Sequence, residues 1–310
     1  MEIIWKKRAA LNQARASLGA TISNGRVYAC GGVSGIQSGP DQNTLSAPVG
    51  IMEEFTPLSN KWVLKKSMPT KRDDLAMASA IDGKIYAIGG FNQKPHNVVE
   101  EYDPMLDTWQ KKSPMPTSRF LFGAAMGAKD GKIYAIGGWG TEAQGWVLDK
   151  AECYDPLKDS WKSLKPMPTP RGELAVAAAS NGRIYAIGGV VKAGTPLSTV
   201  EEYDPRTDEW STRTPMPTSR YCLAAVGASN DMIYAIGGIQ QCTPINVVEE
   251  YDPKKDSWAK KAAMPTARWF LGAAASYVPH DQIFAIGGAY KEKGGKNLKV
   301  LATVEEGGLE

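Results

Sequence analysis

A pair of glycines ends a short apolar run six times in this chain, at Gly31-Gly32, Gly89-Gly90, Gly137-Gly138, Gly188-Gly189, Gly237-Gly238 and Gly287-Gly288. The spacing is about fifty residues after a longer first unit, and a period of that size means a supersecondary unit that completes its core against its neighbours. The runs themselves ("RVYACGG", "KIYAIGG" twice, "RIYAIGG", "MIYAIGG", "QIFAIGG") are built from strand formers. Turn signals such as Asp82-Gly83, Asp130-Gly131 and Asn181-Gly182 precede them, marking tight hairpins to an upstream strand of small residues, for example "LAMASA" or "LAVAAAS". Downstream, "VVEEYDPMLDTW" and its relatives give a third strand, an Asp-Pro turn and a fourth strand that begins at a tryptophan. Each unit therefore has four strands.

An aromatic residue stands seven positions before a tryptophan in five units: Phe55/Trp62, Tyr102/Trp109, Tyr154/Trp161, Tyr203/Trp210 and Tyr251/Trp258. Together with the glycine pairs, this pattern resembles the kelch repeat along the whole chain. The resemblance implies an all-β, six-bladed β-propeller with four antiparallel strands per blade around a channel. Physical reasoning agrees. Blades stacked face to face bury both sides of their inner strands, so "IYAI" carries no charges, and the innermost strands are rich in Ala and Gly because they converge on one axis.

The chain opens on "EIIWKKRAAL", a tryptophan strand without its predecessors, and ends on "VLATVEEGGLE", a third strand without its tryptophan strand. The strand of Trp5 is therefore expected to pair near Val300 to Glu306 and close the ring without free edges. On this reading residues 1–310 form a single propeller, with no BTB/BACK or F-box module, and ring closure favours a monomer.

The 310 residues are 43% hydrophobic with a formal charge of +3, and Lys and Arg are scattered in pairs such as Lys6-Lys7 and Lys111-Lys112, with no basic stripe for nucleic acid. No apolar run is long enough to span a membrane and no leader is evident, so a cytoplasmic location is expected. Cys30, Cys153, Cys222 and Cys242 show no CxxC spacing. His96 falls in a variable loop and His280 in a tight turn at the opposite end, so the two histidines share no metal site. No metal and no cofactor is expected, and GxSxG, P-loop and dinucleotide fingerprints are missing.

Antiparallel strands put the monotonous first-to-second and third-to-fourth turns on one face of the propeller. The variable second-to-third loops (33–50, 91–97, 139–149, 190–199, 239–246, 289–299) and the positions after each "MPTxR" element lie on the other. Loops on a rigid scaffold are where function concentrates, and in kelch proteins ligands commonly meet this face.

The arginines Arg15, Arg72, Arg119, Arg171, Arg220 and Arg268 recur in every unit and so read first as scaffold, although donors of Arg119 and Arg220 are candidates to reach a ligand. Adjacent acids such as Glu100-Glu101 point to opposite faces of a strand and read as structural ion pairs. The two residues after each arginine vary: Ala16-Ser17, Asp73-Asp74, Phe120-Leu121, Gly172-Glu173, Tyr221-Cys222 and Trp269-Phe270. From these positions and the loops come the candidate ligand-facing residues, namely Ser17, Asp73, Asp74, Glu173 and Cys222 with the aromatics Phe91, Phe120, Trp139, Trp146, Tyr221, Trp269 and Phe270. Aromatics beside acids suit a cationic or aromatic ligand, while some of the rings are equally read as channel plugs. Cys222 and Cys242 belong to one blade and could approach each other.

Two functional readings follow. The first is a binding module that captures a peptide or protein segment in the mouth. The alternative is a cofactor-free isomerase, lyase or cyclase acting on a small organic molecule, with Asp74 or Glu173 as general acid or base and Tyr221 beside them.

Overall fold

The computed structural model describes all residues except 1, 38–43, 46, 145, 192–194, 277–280, 292–297 and 310. His280 lies outside the described residues. Six four-stranded antiparallel sheets form the blades. Blade 1 runs Gly19–Ser23, Arg26–Cys30, Met52–Thr56, Lys61–Lys65, and blade 2 Ala76–Ser79, Ile85–Ile88, Val99–Asp103, Thr108–Lys111. Blade 3 runs Gly123–Met126, Ile133–Ile136, Ala151–Asp155, Ser160–Ser163, and blade 4 Ala175–Ala178, Ile184–Ile187, Val200–Asp204, Glu209–Arg213. Blade 5 holds Ala224–Gly227, Ile233–Ile236, Val248–Asp252 and Ser257–Lys260. Blade 6 is shared between the chain ends: Gly272–Ser276, Gln282–Ile286, Val304–Leu309 and, outermost, Ile3–Lys7. We call the strands of a blade a to d from the axis outward.

The innermost strands of successive blades touch, and that of blade 6 touches that of blade 1, so the ring is closed. Closure is made as expected by the first strand, with one difference of register: Trp5 pairs with Gly307 and Lys7 with Glu305. The partner strand is Val304–Leu309, four residues beyond the expected start. Val300 instead belongs to a loop hairpin (Ala289–Lys291 with Leu298–Val300).

Close convergence explains the small residues of the a strands. A Cβ added to Gly123 would sit 2.3 Å from Val176 of blade 4, and one on Gly19 would sit 2.5 Å from Met77 of blade 2. Six hydrophobic clusters each straddle two neighbouring blades, and five of them take a Tyr or Phe from strand c, namely Phe55, Tyr102, Tyr154, Tyr203 or Tyr251. The Tyr/Trp spacing now has a physical cause. Tyr102 and Trp109 face each other across strands c and d, ring centroids 5.0 Å apart. The Trp109 indole then donates to the Lys66 carbonyl of blade 1 at 2.7 Å, and the Tyr102 hydroxyl donates to Asp107, which also accepts the Lys66 amide. Equivalent indole bonds tie Trp62, Trp161, Trp210, Trp258 and Trp5 to the blade before each of them.

The variable loops carry more structure than four strands per repeat predicts. Short hairpins occur in the loops of blades 1, 2, 5 and 6, and a single 3-10 turn, Glu142–Gln144, in blade 3. Among the described residues no helix is long and apolar enough to cross a membrane.

Candidate functional site

Each of the six recurring arginines is 0% exposed. Each pairs with a glutamate of strand c in its own blade, the first of an acid doublet in five blades and the lone Glu152 in blade 3: Arg15 with Glu53, Arg72 with Glu100, Arg119 with Glu152, Arg171 with Glu201, Arg220 with Glu249 and Arg268 with Glu305. Other terminal nitrogens donate to main-chain carbonyls, as from Arg119 to Lys150 (2.9 Å) and from Arg220 to Ala235 (3.1 Å), while the Nε of Arg15, Arg72, Arg119, Arg171 and Arg220 has no hydrogen-bond partner. The second acid of a doublet faces the other way; Glu101 accepts from Tyr86 and Lys84. Arg119 and Arg220 are thus corrected from ligand-facing to scaffold: with no exposed surface their guanidinium groups stay inside the blade.

The arginine backbone acts in a second way. Its carbonyl accepts the amide of the second glycine of the preceding blade's pair, as in Gly90 to Arg119 at 2.9 Å and Gly288 to Arg15 at 2.8 Å. The next residue bridges to the first residue after its own blade's glycine pair: Ala16 with Val33, Asp73 with Phe91, Phe120 with Trp139, Gly172 with Val190, Tyr221 with Ile239 and Trp269 with Ala289. The post-arginine positions and the loops beyond the glycine pairs therefore form one collar, as their shared face implied.

The second residue after each arginine makes the floor of the mouth. Ser17, Asp74, Leu121, Glu173, Cys222 and Phe270 all have left-handed backbone, φ between 48° and 55°. Such conformations are uncommon away from glycine and persist where surroundings enforce them. Here the enforcement is a closed circle of backbone hydrogen bonds. Asp74 donates to Ser17, Leu121 to Asp74, Glu173 to Leu121, Cys222 to Glu173, Phe270 to Cys222 and Ser17 to Phe270, at 2.8 to 3.2 Å. Every amide in the circle is satisfied by the blade before it, and the six side chains surround a cavity of about 90 Å³ on the axis. Leucines at the head of strand a, such as Leu75 and Leu174, underlie it.

Polar members of the floor are concentrated in blades 1, 2, 4 and 5. Ser17 lies close enough to Asp74 to help hold its carboxyl down, and the Cys222 thiol donates to a Glu173 oxygen at 2.7 Å. Burial, then the charges of Asp73 and Glu173, push the Asp74 carboxyl well above the ordinary carboxylate range. Burial likewise raises Asp73 to about 6 and raises Glu173, the thiol of Cys222 partly opposing the latter. Cys222 is raised well above an ordinary thiol by burial and by Glu173, and Tyr221 to about 12 by burial and then the two neighbouring thiols. Cys222 and Cys242 are both free, the first buried at the floor and the second exposed on the blade 5 hairpin.

Above the floor stand partly exposed aromatics. Phe91 of blade 2 packs on Phe120 of blade 3 with centroids 5.0 Å apart, and Trp269 packs on Phe270 at 5.8 Å. Trp139 lies over Gly172 of the next blade, where a Cβ would meet its Nε1 at 2.2 Å. That indole N–H lies close enough to Glu173 to help hold its carboxyl down, yet closes no hydrogen bond. Trp146 is 55% exposed on the blade 3 loop. Trp269 and Phe270 also pack against a small cluster of Ala16, Val33, Ala289 and Leu298, so they are half wall and half plug. His96 donates its amide to Gly90 and its ring is held below its ordinary pKa, by burial first and then by Arg72. The described residues contain no group of three or more His, Cys, Asp or Glu able to hold a metal ion. The residue that sequence reasoning passed over is Leu121, whose apolar side chain concealed its place in the circle; its position two after Arg119 was the available signal.

A closed six-bladed ring with this repeated ladder of glycine pair, arginine, acid doublet, tyrosine and tryptophan defines a propeller built of kelch units. The kelch motif matches residues 78–116, 121–168, 173–217 and 220–265, more than half of the chain, and the chain belongs to that family. It is similar to kelch-like protein 40 of Mus musculus, 32% identical over 87 residues that make up 28% of this chain and 12% of that protein. It is also similar to beta-scruin of Limulus polyphemus, 28% identical over 200 residues, 63% of this chain and 16% of that protein. The aligned stretches thus span only a small part of either relative. Among solved structures, that of YjhT superposes with a TM-score of 0.74 at 17% identity, covering 96% of this chain and 95% of the other, a likeness of fold.

Proposed function

We propose that this propeller is a binding module that takes a peptide or protein segment into the mouth bounded by the collar. The observation that carries the reading is the combination of partly exposed aromatics (Phe91, Phe120, Trp139, Tyr221, Trp269) with a floor closed to within about 90 Å³. Pockets that engulf a small organic molecule are usually several times larger, about 300 Å³ or more. A broad aromatic dish over a narrow axial pit suits a segment lying across the face with one side chain directed inward, since aromatic anchors dominate such interfaces. The test is a displayed peptide library selected on the protein. Binders should lose at least tenfold in affinity with Trp269→Ala or Tyr221→Ala and be unaffected by Leu157→Ala on the opposite turn face. Binders insensitive to both collar substitutions would refute the reading.

A second reading rests on a different observation, the raised carboxyls of Asp74 and Glu173 at the floor. A carboxyl whose pKa burial has raised is better suited to give up a proton as a general acid, and Glu173 with the Cys222 thiol beside it offers a proton-transfer pair for a cofactor-free isomerisation, elimination or cyclisation. A panel of small metabolites monitored by NMR tests this. Turnover should vanish in Asp74→Asn or Glu173→Gln without loss of thermal stability, and retained turnover in both would end it.

A further inference from the structure

The blades supply a cation to each strongly buried acid of their strands. Glu53, Glu100, Glu152, Glu201, Glu249 and Glu305 have arginines, and Glu54, Glu101, Glu202, Glu250 and Glu306 have lysines or arginines. Among the described residues three acids of the mouth have no such cation: Asp73, which is buried, and Asp74 and Glu173, which are half-buried. Asp73 is only 9% exposed and, like Asp74, has an Oδ1 atom that is shut off from solvent without a hydrogen-bond partner. Asp74 and Glu173 both line the axial cavity, separated in the circle by Leu121 and capped on the far side by Phe270. A carboxylate held out of water without a counter-ion is costly, and the Asp74 and Glu173 side chains that line a cavity of this size are complementary to a compact donor that carries positive charge.

We infer that the axial pit is a receptor for an organic ammonium group on an apolar stem, with Asp74 and Glu173 as its two anionic partners and the collar aromatics as the wall for the stem. This rests on the binding reading above and specifies the side chain that points inward. An ammonium has three donors to share between the carboxyls of Asp74 and Glu173, and its low volume matches the pit. The aromatic rings favour a cation with methylene groups over a bare metal ion. Lysine in a peptide and a free alkylamine share this chemistry.

The groups facing Asp74 are Asp73, Glu173 and Ser17, and those facing Glu173 are Cys222, Trp139 and Tyr221 across from its neighbouring blade. None is cationic. Burial raises the pKa of both carboxyls, so an ammonium docks best on their ionised forms, and affinity should rise with pH from 5 to 8 while the amine stays charged.

The probe is n-butylammonium chloride, titrated calorimetrically into the intact protein at pH 5 and pH 8 in two buffers of different ionisation enthalpy, with 1-butanol as the neutral counterpart. Saturable binding of butylammonium but not butanol, tighter at pH 8, with proton release at neutral pH, is expected. Asp74→Asn and Glu173→Gln should each weaken it at least tenfold; if the first fails to fold, the second carries the test. Butanol binding as well as butylammonium, or both variants binding like the parent, overturns the assignment. A tripeptide Ac-Gly-Lys-Gly-amide compared with its norleucine analogue identifies the source. Preference for the lysine peptide over butylammonium supports a protein segment, and the reverse supports a free amine. Selected peptides that lack lysine and lose affinity with Trp269→Ala but not with Asp74→Asn would sink this inference while leaving the binding reading intact.

Discussion

The amide of Gly90 donates to the carbonyl of Arg119 across the boundary between blades 2 and 3, at 2.9 Å. One hydrogen bond thus links the two most repeated residues of the chain, and the same bond recurs at all six boundaries. The glycine has φ of 102°, and a Cβ on it would lie 2.6 Å from the Asp73 carbonyl oxygen. Only glycine satisfies both conditions.

Replacement of Gly90 by alanine should therefore destabilise the protein by more than about 2 kcal/mol, from left-handed strain together with the clash. Urea denaturation followed by tryptophan fluorescence checks this. A midpoint equal to that of the parent would show that the boundary tolerates a side chain.

Glu152→Gln leaves the Arg119 guanidinium buried without its counter-charge and should cost about 3 to 5 kcal/mol. The double change Arg119→Met with Glu152→Met removes both charges and should recover a substantial part of that loss. Equal destabilisation by the single and double variants would mean that the carbonyl bonds of Arg119, and not its ion pair, hold the blade.

The mouth carboxyls give stability a pH dependence of opposite sign to that of paired acids. Asp73, Asp74 and Glu173 have folded pKa values raised above their unfolded ones, by burial first. Their contribution is fully present below the unfolded value of about 4 and is lost as pH rises through the folded values, about 6 for Asp73 and well above the ordinary carboxylate range for Asp74. Asp74→Asn should accordingly melt at a higher temperature than the parent at pH 8, and the advantage should shrink toward pH 4. Parallel melting curves for the two proteins across that range would contradict the assignment.

Removing residues 1–7 takes the outer strand from blade 6 and with it the Trp5 indole bond to Ala262. The exposed edge of Val304–Leu309 should make the shortened chain associate or unfold, visible by size-exclusion chromatography and circular dichroism. Adding a synthetic peptide of residues 1–10 should restore the monodisperse species; an unaltered elution profile without it would show that the ring does not depend on this strand.

The glycine pairs and the Tyr/Trp spacing were legible in the sequence because each reports a demand of backbone or packing that few residues satisfy. Blade number, closure by Trp5 and the side of the variable rim all followed from them. The circle at the floor was not legible. Its six members, Ser17, Asp74, Leu121, Glu173, Cys222 and Phe270, have nothing in common chemically, because what joins them is a shared φ and a main-chain bond. The exact register of closure needed coordinates as well, since Gly307 and Gly308 lie within the last strand opposite Trp5 and Ile4, and a Cβ on Gly307 would meet Ile3 at 2.6 Å. The unpartnered state of Asp73 and Asp74 also needed coordinates, since sequence shows that acids are present but not which cations reach them.

The pairing of Ile3–Lys7 with Val304–Leu309 has a consequence for biosynthesis. The strand Ile3–Lys7 is synthesised long before its sheet neighbour Val304–Leu309, so blade 6 is assembled only once that partner has emerged from the ribosome. Until then a short strand carrying Trp5 and two lysines trails without its partner, and interrupting translation before Val304 should release chains with five formed blades and one sticky seam.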